Sequence, residues 1–469
     1  MSRTVISGGL VVNASESLAA SVLIEGERVV AVADPAADLV THFSEGADVV
    51  DATGKYVIPG GIDAHTHMEA AAFNSLSSDS FETGTVAAAF GGTTTILDFA
   101  QPPGGKGRGN GSSLVAAVDF YHEKTAGKCA VDYGFHVNTR DIDETRLKEM
   151  TALVAEGITS FKMFTAYPET FYSPDDQLFR AYRHLGSLGA LPMMHAENGI
   201  VIDVLRDEAA ARGDAQPVWH SLTRPEAMEA EAVHRCSRIA EVARSPVYIV
   251  HLSSEPALEE VKRARERGVQ ISAETCPQYL FLGLANLREP DFEGAKYVCS
   301  PPVRDERNHR PLWTALGRGD LATVATDHCP FCWNQKELGR DDFRAIPNGV
   351  PGVEHRVEQI YQGVVAGHLT VNRWVEVCST QVAKTFGLHP RKGLIAAGAD
   401  ADIVIFDPHK PRTISAKTHH MANDYSVFEG QVLPGSVVMT FLRGKKIVDG
   451  ANFLGATGDG KFLKRAVRR

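Results

Sequence analysis

Two histidines stand two residues apart in Asp63-Ala-His65-Thr-His67, the interval at which strand side chains return to one face. Four more polar groups follow apolar, strand-like runs. Lys162 lies in Ser160-Phe-Lys-Met-Phe-Thr-Ala-Tyr167, His195 follows Leu191-Pro-Met-Met194, and His251 follows Val247-Tyr-Ile-Val250. Leu321-Ala-Thr-Val-Ala-Thr326 runs into Asp327-His328. Neutral imidazoles with a carboxylate make a donor set for zinc and related divalent ions. Taken singly, each residue has a plainer reading: a polar strand end, a snorkelling lysine, an Asp helix cap. Together they would require independent accidents at five strand ends. A buried lysine among metals reads as a neutral amine. Such an amine can add carbon dioxide, and the carbamate formed is a carboxylate-like bridge between two metals.

Eight strand candidates position these groups: Tyr56–Asp63, Thr93–Phe99, Ala130–Val137, Ile158–Phe164, Leu191–Met194, Pro246–Val250, Val269–Thr275 and Leu321–Thr326. Between them lie helical stretches, including Ser113–Thr125, Glu144–Glu156, Asp176–Leu188, Pro225–Ala243 and Pro256–Arg267, whose apolar residues recur at three and four. Eight strand–helix units with nearly continuous apolar strands predict an α/β protein built on a parallel (β/α)8 barrel, with its chemistry at the C-terminal strand ends. Short strands return at both termini, in Thr4–Val12 and Ser21–Ala33, then in Asp402–Phe406 and Val437–Phe441. They predict one small β-sandwich domain made from both ends. The expected division is 1–55 with 389–455 for that domain, 56–388 for the barrel and 456–469 for a tail.

The composition of the 469 residues is that of an ordinary globular enzyme, 43 % hydrophobic and 23 % charged. Forty-eight basic residues against 58 acidic ones give a formal net charge of −10, so nucleic acid is not an expected partner. The one basic stretch, Lys461-Phe-Leu-Lys-Arg-Ala-Val-Arg-Arg469, is expected to be a solvated end or a subunit contact. No apolar run approaches the roughly 20 residues that cross a bilayer, and the N-terminus lacks a signal-peptide pattern. Seven scattered cysteines do not form a disulfide framework and fit a reducing cytoplasm. The Cys329-Pro-Phe-Cys332 pair has no partner pair and is expected to be structural.

Seven motifs, in order, resemble the dihydropyrimidinase/D-hydantoinase family. They are His65-Thr-His67, the Ser160–Tyr167 stretch, Met194-His195-Ala-Glu, His251-Leu-Ser-Ser, Cys299-Ser-Pro-Pro-Val-Arg304, Thr326-Asp-His-Cys-Pro330 and Pro347-Asn-Gly-Val-Pro-Gly-Val-Glu354. The resemblance covers nearly the whole chain. It implies that His65, His67, carbamylated Lys162 and Asp327 hold one metal, and Lys162, His195 and His251 the other, most simply as two Zn2+ ions. It further implies that Tyr167 stabilises an oxyanion and that Ser300 and Asn348 clamp the ring's amide edge through backbone groups. Asp327 would be ligand and proton shuttle, and the assembly a homotetramer. The expected reaction is ring opening of 5,6-dihydropyrimidines or 5-substituted hydantoins to N-carbamoyl amino acids. The rivals are another cyclic amidohydrolase, an allantoinase or dihydroorotase, and a non-catalytic scaffold relative that has lost the ligands. The stretch Met68-Glu-Ala-Ala-Ala-Phe-Asn74 lies where hydantoinases vary in a loop shaping the substrate side-chain pocket. Dihydroorotases place an arginine just after the paired histidines, and this stretch has none.

Overall fold

The computed structural model describes residues 2–72, 75–101 and 113–468. Phe73 and Asn74, at the end of the loop singled out above, lie outside the described residues.

Eight parallel strands form the barrel wall: β1 Gly61–Thr66, β2 Thr93–Ala100, β3 Asp132–Asn138, β4 Ser160–Phe164, β5 Leu191–His195, β6 Val247–Ile249, β7 Ile271–Thr275 and β8 Thr323–Val324. They hydrogen-bond in sequence order. β1, β2 and β3 are buried along their whole length, as strands covered on both faces must be, and even their polar residues, among them Asp63, Asp98 and His136, are buried. The ring closes beyond β8. Thr326 donates from its amide and hydroxyl to Asp63 at 3.1 and 2.6 Å, and the His67 amide bonds the His328 carbonyl at 2.9 Å.

The outer helices follow from their sequences. In Asp175–Ser187 the buried residues are Leu178, Ala181, Tyr182 and Leu185, one stripe at three- and four-residue spacing, with Asp175 and Asp176 in the first turn. Glu144–Ala155 starts where the Asp143 side chain accepts the Arg146 amide. Phe81–Phe90 breaks the stripe rule because it is covered on nearly all sides, lying between β2 and the strand Ser436–Leu442.

The expected first strand, Tyr56–Asp63, is two strands. Tyr56–Pro59 belongs to a seven-stranded sheet and pairs antiparallel with Ile403–Asp407, whereas β1 starts at Gly61. The turn between them passes so close to the wall that a Cβ on Gly60 would collide with the Thr94 side chain. The seven-stranded sheet takes strands from both termini, and a four-stranded sheet takes Arg3–Ser7, Ser21–Glu25, Arg28–Ala33 and Asp48–Asp51. One apolar cluster joins them, with Ile6, Val22 and Val29 from one sheet meeting Val57, Ile405 and Phe441 from the other. The result is a (β/α)8 barrel with a small β-sandwich built from both ends of the chain.

The basic tail is not a solvated end. Leu463 is fully buried in the cluster filling the barrel interior. The amides of Leu463, Arg465, Ala466 and Arg468 bond the carbonyls of Tyr133, Gly157, Gly387 and Gly189 in turn. Gly157 and Gly189 precede β4 and β5, so the tail crosses the barrel floor, opposite the strand ends that carry the histidines.

Candidate active site

Strand register gathers the predicted groups. Lys162 pairs with Met193 and Phe164 with His195 between β4 and β5, so Lys162 and His195 reach the same rim from adjacent strands. His65 Nε2 lies 2.9 Å from Lys162 Nζ and 3.1 Å from Asp327 Oδ1. His67 Nε2 approaches the same Asp327 oxygen at 3.1 Å. Across the rim, His195 Nδ1 faces His251 Nε2 at 2.9 Å. His65, His251 and Asp327 place one ligand atom each within 4.8 Å of one another. All six predicted ligands thus meet in one place; His67 and Asp327 are partly open, and the other four are buried.

Two glutamates that the sequence reading missed orient these rings. His195 Nε2 is 2.8 Å from Glu197 Oε2, so that nitrogen carries the proton and Nδ1 presents its lone pair to the site. Burial alone would raise Glu197, but the hydrogen bond from His195 and the nearby Arg224 and Arg304 outweigh it and hold the carboxyl below its usual range. His65 Nδ1 is 2.6 Å from Glu274 Oε1, whose other oxygen takes the Tyr248 hydroxyl at 2.8 Å, so His65 turns Nε2 inward. Burial pushes Glu274 up to about 8. Both had a signal: Glu197 stands in the Met194-His195-Ala-Glu motif, and Glu274 ends β7, where the strand-end rule applies equally.

The electrostatics favour neutral donors. Burial, reinforced by Lys162, holds His65 well below the ordinary histidine value, and burial does the same for His251. Burial lowers Lys162 to about 8 against the pull of Asp327 and Glu274. Bare nitrogen lone pairs converging with a carboxylate and a readily neutralised amine fit divalent metal ions.

The substrate-side predictions also come together. The Tyr167 ring lies 5.3 Å from that of His195, tilted at 49°, and its hydroxyl hydrogen-bonds Ser300; burial drives its hydroxyl pKa upward, so it stays a donor. Asn348 Nδ2 donates to Ser300 Oγ at 3.1 Å. Tyr167, His251 and Asp327 all have positive φ (58°, 39° and 52°), conformations that are costly for residues with a Cβ and are found where function holds them. His328 takes no part. Its Nε2 lies 3.0 Å from Asp79 and its Nδ1 accepts the Gly352 amide, so it braces the loop behind the site. Cys329 and Cys332 are free thiols whose pKa values burial raises, which leaves them structural.

Barrel and donor set together fit the strand-end site of a metal-dependent hydrolase, with His65, His251 and Asp327 as a possible metal site. Residues 56–447 match the family described as the amidohydrolase family. The chain is 52 % identical to a D-hydantoinase of Streptomyces coelicolor over 99 % of this chain and 98 % of that protein. It is 41 % identical to a dihydropyrimidinase of Rattus norvegicus, over 99 % of this chain and 89 % of that one. Its fold is similar to the crystal structure of dihydropyrimidinase from Brevibacillus agri, with a TM-score of 0.95, 45 % identity, and 100 % of this chain and 99 % of that one covered. The chain belongs to the amidohydrolase family, in its dihydropyrimidinase/D-hydantoinase branch.

Proposed function

We propose that the enzyme hydrolyses neutral cyclic amides and imides, 5,6-dihydropyrimidines and 5-substituted hydantoins, to N-carbamoyl amino acids. The observation that carries this reading is the facing of two sets of groups: the six-ligand ring, and the Tyr167–Ser300–Asn348 string beside it. The filled ligand positions speak against a scaffold role.

His65, His67, Lys162 and Asp327 would hold one divalent ion, and Lys162, His195 and His251 the other, with Zn2+ the expected metal. Lys162 would bridge them as a carbamate, its Nζ bonding the carbon of carbon dioxide and losing a proton to solvent. Bound ions would lower the pKa of water to about 7 and polarise the ring carbonyl. Asp327 takes the proton of the attacking water and passes it to the ring nitrogen as the carbon–nitrogen bond breaks. Tyr167 donates its hydroxyl proton in a hydrogen bond to the carbonyl oxygen as it gains charge. Backbone groups of Ser300 and Asn348 hold the ring's amide edge. The carbonyl carbon becomes a carboxylate, its remaining proton released to solvent, and the nitrogen becomes the terminal amide of the carbamoyl group in the same ring-opened product.

A cytoplasmic homotetramer is the proposed setting. The free thiols of all seven cysteines fit a reducing compartment, and the helix Gly199–Ala211 exposes Ile200, Val201 and Val204, apolar surface for a subunit contact. The boundaries at 388 and 455 are likewise proposed, but the first moves from 55 to about residue 60, because Tyr56–Pro59 pairs in the sandwich sheet and Val57 joins the apolar cluster between the two smaller sheets.

Metal analysis of purified protein tests the site. Close to two ions per chain are expected, with electron density extending past Lys162 Nζ, and Lys162→Ala should lose most metal and activity. Full metal occupancy with a bare amine would contradict the bridge.

A further inference from the structure

We propose that Lys336 is a positioning residue for substrate, tying together the two chain segments that carry Ser300 and Asn348. The proposal rests on the reading of those residues as substrate contacts.

Lys336 ends the short helix Trp333–Lys336, in the loop that follows Asp327, and its side chain is fully buried. Its Nζ donates to the carbonyls of Val298 at 2.9 Å, Pro347 at 2.7 Å and Gly349 at 2.9 Å. Val298 is two residues from Ser300, and Pro347 and Gly349 flank Asn348. One ammonium therefore fixes both halves of the amide clamp, its three N–H groups matched to three carbonyls. No other side chain offers three donors from a single atom. The Gly349 amide adds a 2.9 Å bond to the Val298 carbonyl, so the segments also meet directly. At Gly349 a Cβ would strike the Cys329 carbonyl, which shows how closely this strap passes the loop after Asp327.

The charged and titratable groups facing Lys336 are the Cys299 and Cys329 thiols and His220, with the Phe331 ring 5.7 Å from Nζ. Burial keeps both thiols protonated and His220 neutral. Among the described residues no carboxylate pairs with the ammonium, and burial lowers it to about 7 while the three carbonyl dipoles favour the charged form. An apolar side chain of the same volume would fill this space without that desolvation cost. What lysine adds over methionine is the fixed distance between the two segments.

His220 reinforces the same clamp from the other side. Arg224 Nη1 donates to His220 Nδ1 at 3.0 Å, so the ring proton sits on Nε2. That nitrogen then donates to the Cys299 carbonyl at 2.8 Å, with Ser300 Oγ 3.2 Å away. Lys336 is distinct in reaching both segments at once.

The test uses metal-loaded Lys336→Met and Lys336→Gln with a 5-substituted hydantoin. The expected result for Lys336→Met is a KM raised about tenfold or more, with kcat changed less than about threefold and metal content unchanged. Lys336→Gln, which keeps two donors, should recover part of the loss. Hydrogen exchange should quicken together in peptides covering 298–300 and 347–349, and not in those covering 191–195 and 247–251. Unchanged KM and exchange would overturn the proposal. So would a fall in kcat with metal loss, or failure of both variants to fold, since either makes Lys336 a general fold residue. The reading beneath it fails separately: if hydantoin does not slow exchange in those two segments of the wild-type enzyme, Ser300 and Asn348 are not substrate contacts, whatever Lys336 does.

Discussion

Asp327 occupies a single position with three demands on it. Its Oδ1 meets both His65 and His67 at 3.1 Å, its backbone is held at φ 52°, and its side chain is partly open towards substrate. Asp327→Asn keeps the size and one ligand oxygen but cannot take up a proton as a carboxylate does. Turnover should fall roughly 10²-fold or more, the usual range for a general acid–base group, with metal largely retained. Near-normal turnover would assign the proton transfer to another group. The convergence of these residues was legible in the sequence because strand geometry needs only a spacing of two and a strand end, which His65-Thr-His67 and Asp327 display openly. Glu197 and Glu274 carried only a motif and a strand-end position, which do not say that a carboxylate orients a histidine; only the fold brings Glu274 to His65, 209 residues away in sequence.

At the scale of elements, the eight strands were legible and their ends were off by one or two residues, except at Tyr56–Asp63. There an unbroken apolar run concealed a change of sheet, since Pro59 and Gly61 are both buried and hydropathy is the same on either side. The helix Phe81–Phe90 was passed over for a related reason: an element buried on nearly all sides has no polar face to set its period. The element that does most to join the proposed metal ligands is β7. From its end Glu274 accepts His65 Nδ1–H of β1 and, at 3.3 Å, the backbone amide of His251 beyond β6. Glu274→Leu should weaken metal binding about 10- to 100-fold, the usual cost of losing a partner that orients a ligand. Competition with a chelator measures it, and unchanged affinity would show that packing alone orients His65.

For the molecule as a whole, the β-sandwich and barrel were readable from where strand-like and helical patterns begin and stop. The role of the tail was not, because a basic composition hides the two or three residues that do the packing. Leu463→Ala should cost about 2–5 kcal/mol of stability, as truncation of a buried leucine does, whereas a solvated tail would lose almost nothing. Denaturant titration at fixed metal concentration distinguishes the two. No cation follows the paired histidines. Met68 is buried, and Glu69 is turned away, its carboxylate accepting the Phe81 amide at 3.3 Å and its carbonyl the Lys124 ammonium at 2.8 Å. This stretch therefore offers no charge-assisted hydrogen bond to an anionic ring, whereas a neutral ring needs none. The decisive measurement is kcat/KM for dihydrouracil, a 5-substituted hydantoin, allantoin and dihydroorotate, on one metal-loaded preparation in one buffer. The neutral dihydropyrimidine or hydantoin should be opened at least about tenfold more efficiently than dihydroorotate, a difference of ~1.4 kcal/mol in transition-state binding. A preference for dihydroorotate would contradict the substrate assignment and leave the metal chemistry standing.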